Sequence, residues 1–294
     1  MHSYLRAIGF SNLRKGTDIE HLLEEVFRDS KDRKSARKGR HDIFIEYSKS
    51  FGKNMGIMLC GSLEEDGFHQ EYYFPYFQGS GETTKEDLVI EKRSQNDSFA
   101  GVCEDMRVGV SLIFYLQNAA EYIRESILNR LLRQGITTTL SGLSLQGRIL
   151  LPICKTEEQV ILDREATKNR SHLIAEARKG NEEAMESLTL EDIDTYTMIS
   201  RRVHQEDVFT IVDTCFMPYG MECDHYNVLG EIRRVEKVEN PVTGEQVYQM
   251  NLDCNEMNFD ICINEKDLQG EPAPGRRFKG NIWLQGHINF PIED

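Results

Sequence analysis

The stretch from Asn281 to Phe290 leaves the chain few conformations to choose from. Asn281, Trp283, Gln285, His287 and Asn289 alternate with Ile282, Leu284, Gly286, Ile288 and Phe290. A period of two is the signature of a β-strand, because successive side chains point to opposite faces. The apolar face belongs in a core. The other face carries the chain's one Trp, an imidazole and three amides. Gln249 and Asn251 alternate in the same way against Tyr248, Met250 and Leu252, and Asp260, Cys262 and Asn264 against Phe259, Ile261 and Ile263. Three strands therefore present one amide-rich face with an aromatic at its centre. Such a face has two uses. It can hold a ligand, as on small barrels, with Trp283, Gln285, His287, Asn251 and Asn264 as the contact residues. Alternatively, it docks on the N-terminal part of the chain.

Upstream, the pattern is mixed. Tyr4–Phe10 reads as a strand. Thr17 and Glu20 suit a capping box at a helix start, with Ile19, Leu22, Leu23, Val26 and Phe27 on one helical face. Arg28 to Arg40 is basic and lacks apolar periodicity, which predicts a solvated loop, with a phosphate-binding patch as the alternative. Asp42–Ser48, Met55–Leu63 and Gln70–Phe77 read as strands, the last two joined at a turn through Glu64-Glu65-Asp66-Gly67. Leu88–Lys92 and Val108–Leu116 add two more. Asn118 then starts a helix that ends at Gly135, and Ile136–Ile153 reads as two short strands. Thr156 to Thr189 turns helical and charged, broken where Gly180 suits a helix C-cap and Asn181 the next N-cap. From Val208 onward the pattern is β again. The expected fold is α+β: an antiparallel-sheet domain with amphipathic helices over 1–155, a helical connector over 156–207, and a small β-barrel or β-meander over 208–294.

Charge and cysteine content narrow the function classes. The 294 residues hold 49 acidic and 35 basic side chains, a net charge of −14. That balance argues against a protein that coats DNA, which needs clustered cations. Nucleic-acid contact is reduced to the basic 28–40 stretch. The seven cysteines are odd in number and scattered, so reduced thiols and a cytoplasmic location are expected. Residues 1–6 show no apolar core of a signal peptide. The longest uncharged stretches, Val108–Ala120 and Gln134–Gly147, are shorter than the roughly 18 apolar residues a membrane span needs.

Motifs for catalysis are sparse. Gly142-Leu143-Ser144-Leu145-Gln146-Gly147 has its second Gly one residue too late for a nucleophile elbow. Phosphate-loop, Cys-x-x-Cys and His-Glu-x-x-His patterns are absent from the sequence. The richest segment holds His204, Asp213, Cys215, Cys223 and His225, ligand types suited to a divalent metal and metal-assisted hydrolysis. The plainer reading makes Cys215 and Cys223 small buried apolar residues. No cofactor is expected. The favoured function is non-catalytic binding or regulation, with a protein or a small polar ligand as partner.

Three segments carry a family likeness. They are His2-x-Tyr4-Leu5-Arg6-Ala7-Ile8-Gly9-Phe10; Gly101-Val102-Cys103-Glu104-Asp105-Met106-Arg107-Val108-Gly109-Val110-Ser111-Leu112-Ile113; and Glu206-Asp207-Val208-Phe209-x-Ile211-Val212-Asp213-Thr214-x-Phe216-Met217-Pro218-Tyr219-Gly220. Together they resemble an uncharacterised bacterial family, domain of unknown function 3881, over the full chain. The resemblance implies a bacterial cytosolic protein and brings no activity, cofactor or catalytic residue. Separately, Leu229–Phe290, with Gly275, Phe278, Gly280, Trp283 and Gly286, resembles an oligonucleotide/oligosaccharide-binding barrel that lacks a fifth strand and the usual helix.

Overall fold

A computed structural model describes the chain except residues 1, 14–15, 31, 40–41, 94–97, 106, 132–134, 154–155 and 292–294. Lys31, Arg40 and Cys154 therefore lie outside the described residues. The fold is α+β and divides into two compact units: Met1–Leu150 with Thr214–Asp294, and Leu151–Asp213.

The first unit begins with a 3-10 helix, Ser3–Ile8, and α1, Gly16–Asp29. Four strands follow: β1 Asp32–Arg37, β2 Ile43–Ser50, β3 Met55–Glu64 and β4 Gly67–Phe77. They form one antiparallel sheet in that order. Leu22, Leu23 and Val26 of α1 are buried, as the apolar spacing requires. Next come β5 Leu88–Lys92, β6 Phe99–Asp105, β7 Val110–Leu116, α2 Ala119–Ile127 and β8 Thr137–Leu150.

The second unit is helical. It contains α3 Glu157–Arg178, α4 Glu182–Arg202 and the short α5 Val208–Ile211. Thr156 and Gln159 form a reciprocal capping box at the start of α3. Gly180, at φ 84, ends the turn after it, and Asn181 caps α4 through the amides of Glu183 and Ala184. Arg170 ties the two helices together through Glu191 and Asp192.

The chain then returns to the first unit with β9 Cys215–Pro218, β10 His225–Glu239, β11 Gln246–Cys254, β12 Met257–Asn264, β13 Leu268–Gln269 and β14 Arg277–Asn289. Strands β8, β12, β11, β10 and β14 close into a five-stranded barrel, because β14 pairs with both β10 and β8. Strand β8 runs parallel to β12 and antiparallel to β14. The fifth strand missing from Leu229–Phe290 is thus β8, which precedes the helical unit in the chain. Gly142 and Gly147 on β8 leave room for barrel side chains. A Cβ at Gly142 would lie 2.9 Å from Ile282 Cδ1, and one at Gly147 would overlap the Phe278 ring. On the apolar face of β14, Ile282 and Leu284 are fully buried and Ile288 nearly so.

Several segments differ from their sequence reading. Tyr4–Phe10 is not a strand. Its 3-10 helix buries Leu5, Ala7 and Ile8 and packs on β12, where Asn264 Nδ2 donates to Arg6 O at 3.2 Å. The 28–40 stretch is not a loop throughout. Strand β1 pairs residue for residue with β2, Ala36 is buried, and the Arg33 and Lys38 cations lie over the Tyr47 and Phe44 rings. Ile136–Ile153 contains one long strand, bulged opposite Asn281 and Ile282, rather than two. The division at 155 and 208 also differs from the two units, since β8 and β14 share a ladder from Thr137 to Leu150. Among the described residues no helix is long and apolar enough to cross a membrane.

Candidate functional site

The polar face of β14 turns toward the N-terminal elements, and its residues have separate fates. Trp283 is 5% exposed, and its Nε1 donates to Asp224 Oδ2 at 2.7 Å. The same oxygen accepts from Arg93 Nη1 at 2.7 Å. The indole packs against the rings of His2, Tyr4 and Tyr115 at centroid distances of 4.7, 5.3 and 5.2 Å. Burial lowers the His2 pKa to about 4. Gln285 is fully buried. Its Oε1 accepts from Phe77 N and from Gln117 Nε2, and its Nε2 donates to Pro75 O. Asn264 bonds to Glu245 and Arg6, and Asn251 to Asp260 at 2.9 Å. These four polar residues tie parts of the chain to one another.

His287 differs. It lines a cleft of about 140 Å³ together with Asp32 and Lys34 of β1, Glu46 and Ser48 of β2, Met58, Tyr76, Gln78, Gln117 and Asn118. The register explains the lining. Lys34 pairs with Glu46 and Asp32 with Ser48 across β1 and β2, so these four side chains share one face of the sheet. Asn118 precedes α2 but makes no cap bond. Its Nδ2 donates to Ile288 O and its Oδ1 accepts from Ile288 N, which fixes β14 beside the helix start. Glu46 takes over the cap: its Oε1 accepts from Ala120 N at 3.1 Å. A carboxylate there faces the positive end of the helix dipole.

The other oxygen, Glu46 Oε2, is buried and has no hydrogen-bond partner among the described residues. The residue is 2% exposed. Burial pushes its pKa up to about 7, against the opposing pull of the Ala120 amide, Lys34 and the Ala119 amide. Burial, and then Lys34, lowers the pKa of His287, so the imidazole is held neutral. Burial, then Asp32, pushes Tyr76 up to about 12. Lys34 is committed to Glu121 of α2, 3.3 Å away. The cleft thus places a carboxyl of shifted pKa near a neutral imidazole, an arrangement typical of functional clefts.

A family model described as "Domain of unknown function, E. rectale Gene description (DUF3881)" matches residues 5–286. The chain belongs to the DUF3881 family. The match spans both compact units and brings no activity with it. No curated protein and no solved structure matches the chain.

In this DUF3881 chain the metal candidates fall in both compact units. His204 and Asp213 belong to the helical unit. Cys215 lies on β9 opposite Leu229, Cys223 accepts from Arg93 Nη2 at 3.4 Å, and His225 stacks on Tyr4. Among the described residues the one convergent set of His, Cys, Asp and Glu is Glu64, Asp66 and His69, all exposed at the β3–β4 turn. The sequence reading found His287 and missed Glu46, Asp32, Ser48 and Tyr76. One signal was available: Glu46 is the single charge in Ile43-Phe44-Ile45-Glu46-Tyr47. An acid inside an apolar strand is rare without a purpose.

Proposed function

We propose that the chain is a binding protein for a small polar solute, held in the cleft between β2 and His287. The observation that carries this reading is Glu46 Oε2. A buried acceptor left unpaired costs about 1–3 kcal/mol, and a ligand donor in the cleft would remove that cost. The surrounding hydroxyl and amide groups of Ser48, Tyr76 and Gln78 supply further polar contacts, and Met58 an apolar wall. This narrows the amide-and-Trp face of β14 to its His287 end, since Trp283 and Gln285 already have chain partners. The six described cysteines are free, four of them buried, which supports a cytoplasmic setting.

The test is ligand-observed NMR with a mixture of small amines, amides, alcohols and carboxylates. At least one class should bind saturably to the wild type. Ser48→Phe, which places a ring in the cleft, should abolish that binding while the melting curve stays cooperative. If no class binds at millimolar concentration, or if Ser48→Phe binds as well as the wild type, the cleft is not the site.

A further inference from the structure

We propose that the solute is a small organic cation, a primary ammonium compound, whose nitrogen sits on the Glu46 carboxylate. This rests on the cleft being the binding site. The charges around it favour that class. Asp32 and Glu46 line the cleft, and Glu121 stands beside it. Among the described residues Lys34 is the one cation in the lining, and Glu121 already neutralises it. An anion would therefore meet two carboxyls, with the Lys34 counter-ion already engaged. A cation meets the reverse, in a partly desolvated site where unpaired charges interact strongly. An ammonium group also needs several acceptors for its three N–H bonds. Glu46 offers one, and Ser48, Gln78 and Asp32 supply oxygens in the lining.

Size sets a second limit. A cavity near 150 Å³ holds one benzene, so a cleft of about 140 Å³ takes a ligand of roughly six non-hydrogen atoms. Met58 and the Tyr76 ring suit a short carbon chain.

Protonation gives the proposal a second readout. The groups packed around Glu46 are Asp32 and Lys34 from β1, Cys60 from β3, Tyr72 and Tyr76 from β4, Tyr115 from β7, Glu121 and the Ala120 amide from α2, and His287 from β14. Lys34 favours the charged carboxylate and Glu121 opposes it. Burial holds Glu46 half protonated near neutrality. An ammonium ion binds the charged form, so apparent affinity follows the deprotonated fraction. It should be about tenfold tighter at pH 8 than at pH 6.

The experiment titrates the full chain with ethanolamine and with its neutral and anionic isosteres, ethylene glycol and glycolate. The Ala120 amide and the His287 ring are followed by NMR at pH 6 and pH 8. Ethanolamine should shift both signals saturably, about tenfold more tightly at pH 8. Glu46→Gln should weaken binding at least tenfold and remove the pH dependence. Asp32→Asn, which leaves the core untouched, should weaken it several-fold. If ethylene glycol or glycolate shifts these signals and ethanolamine does not, the cleft stands as a site and the cation proposal falls. Equal ethanolamine binding at both pH values, or in Glu46→Gln, also overturns it. If none of the three probes moves Ala120 or His287, both the cation proposal and the cleft reading fail.

Discussion

Replacing Glu46 by Gln should make the ligand-free protein more stable at alkaline pH, although it removes a buried, hydrogen-bonded side chain. The carboxyl loses its proton near 4.5 in the unfolded chain and near 7 in the fold. Between these values the folded chain holds one more proton than the unfolded chain. Stability therefore falls as pH rises through that window and levels off above it. The full interval corresponds to roughly 3 kcal/mol. Gln has nearly the same shape, keeps an oxygen for the Ala120 amide and has no charge to bury. The variant should match the wild type at pH 5, where Glu46 is protonated in the fold. At pH 8 it should be more stable by about 2–3 kcal/mol. Urea unfolding of both proteins between pH 5 and pH 8 measures this, because all other titrating groups cancel in the difference. A difference that does not change with pH, or a less stable variant at pH 8, would show that Glu46 is not a strained buried acid.

Trp283→Ala removes the indole from His2, Tyr4 and Tyr115 and takes one donor from Asp224. It should cost roughly 3–5 kcal/mol in urea unfolding; a loss below 1 kcal/mol would mark the indole as a free platform. In Gly147→Ala the new methyl meets the Phe278 ring, so a loss of about 1–3 kcal/mol in the same assay is expected. A thiol reagent should modify exposed Cys223 in the native protein and reach Cys60 and Cys262 only on unfolding. Burial raises both of those thiols. Native-state labelling of Cys262 would contradict the packing of Ala7 against it.

The β14 alternation was legible because the two faces of a strand write period two directly into the sequence, and Ile282, Leu284 and Ile288 are buried, although Trp283 and Gln285 on the other face are buried as well. The caps at Gly180 and Asn181 were legible because they are local. Strand β1 was not, because its edge position leaves Arg33, Lys34 and Arg37 exposed and hides only Ala36. Tyr4–Phe10 reads as a strand because a short, mostly apolar run also fits a 3-10 turn that docks by its backbone on β12. The barrel's closure depends on β8 meeting β12 and β14 across the helical unit, a long-range pairing that no local pattern records. The site was half legible. His287 stands in a readable strand. Glu46 stands out as an acid among apolar neighbours, but its lack of a partner appears only when Asn118 turns to Ile288 and leaves the carboxyl on α2.

The most direct measurement is the titration of the Glu46 side-chain carboxyl by carbon-13 NMR, with and without ethanolamine. The midpoint should lie near 7 in the free protein and clearly lower in the presence of the amine. A midpoint near the ordinary glutamate value of about 4.3 in the free protein, or one that ethanolamine leaves unmoved, would contradict it.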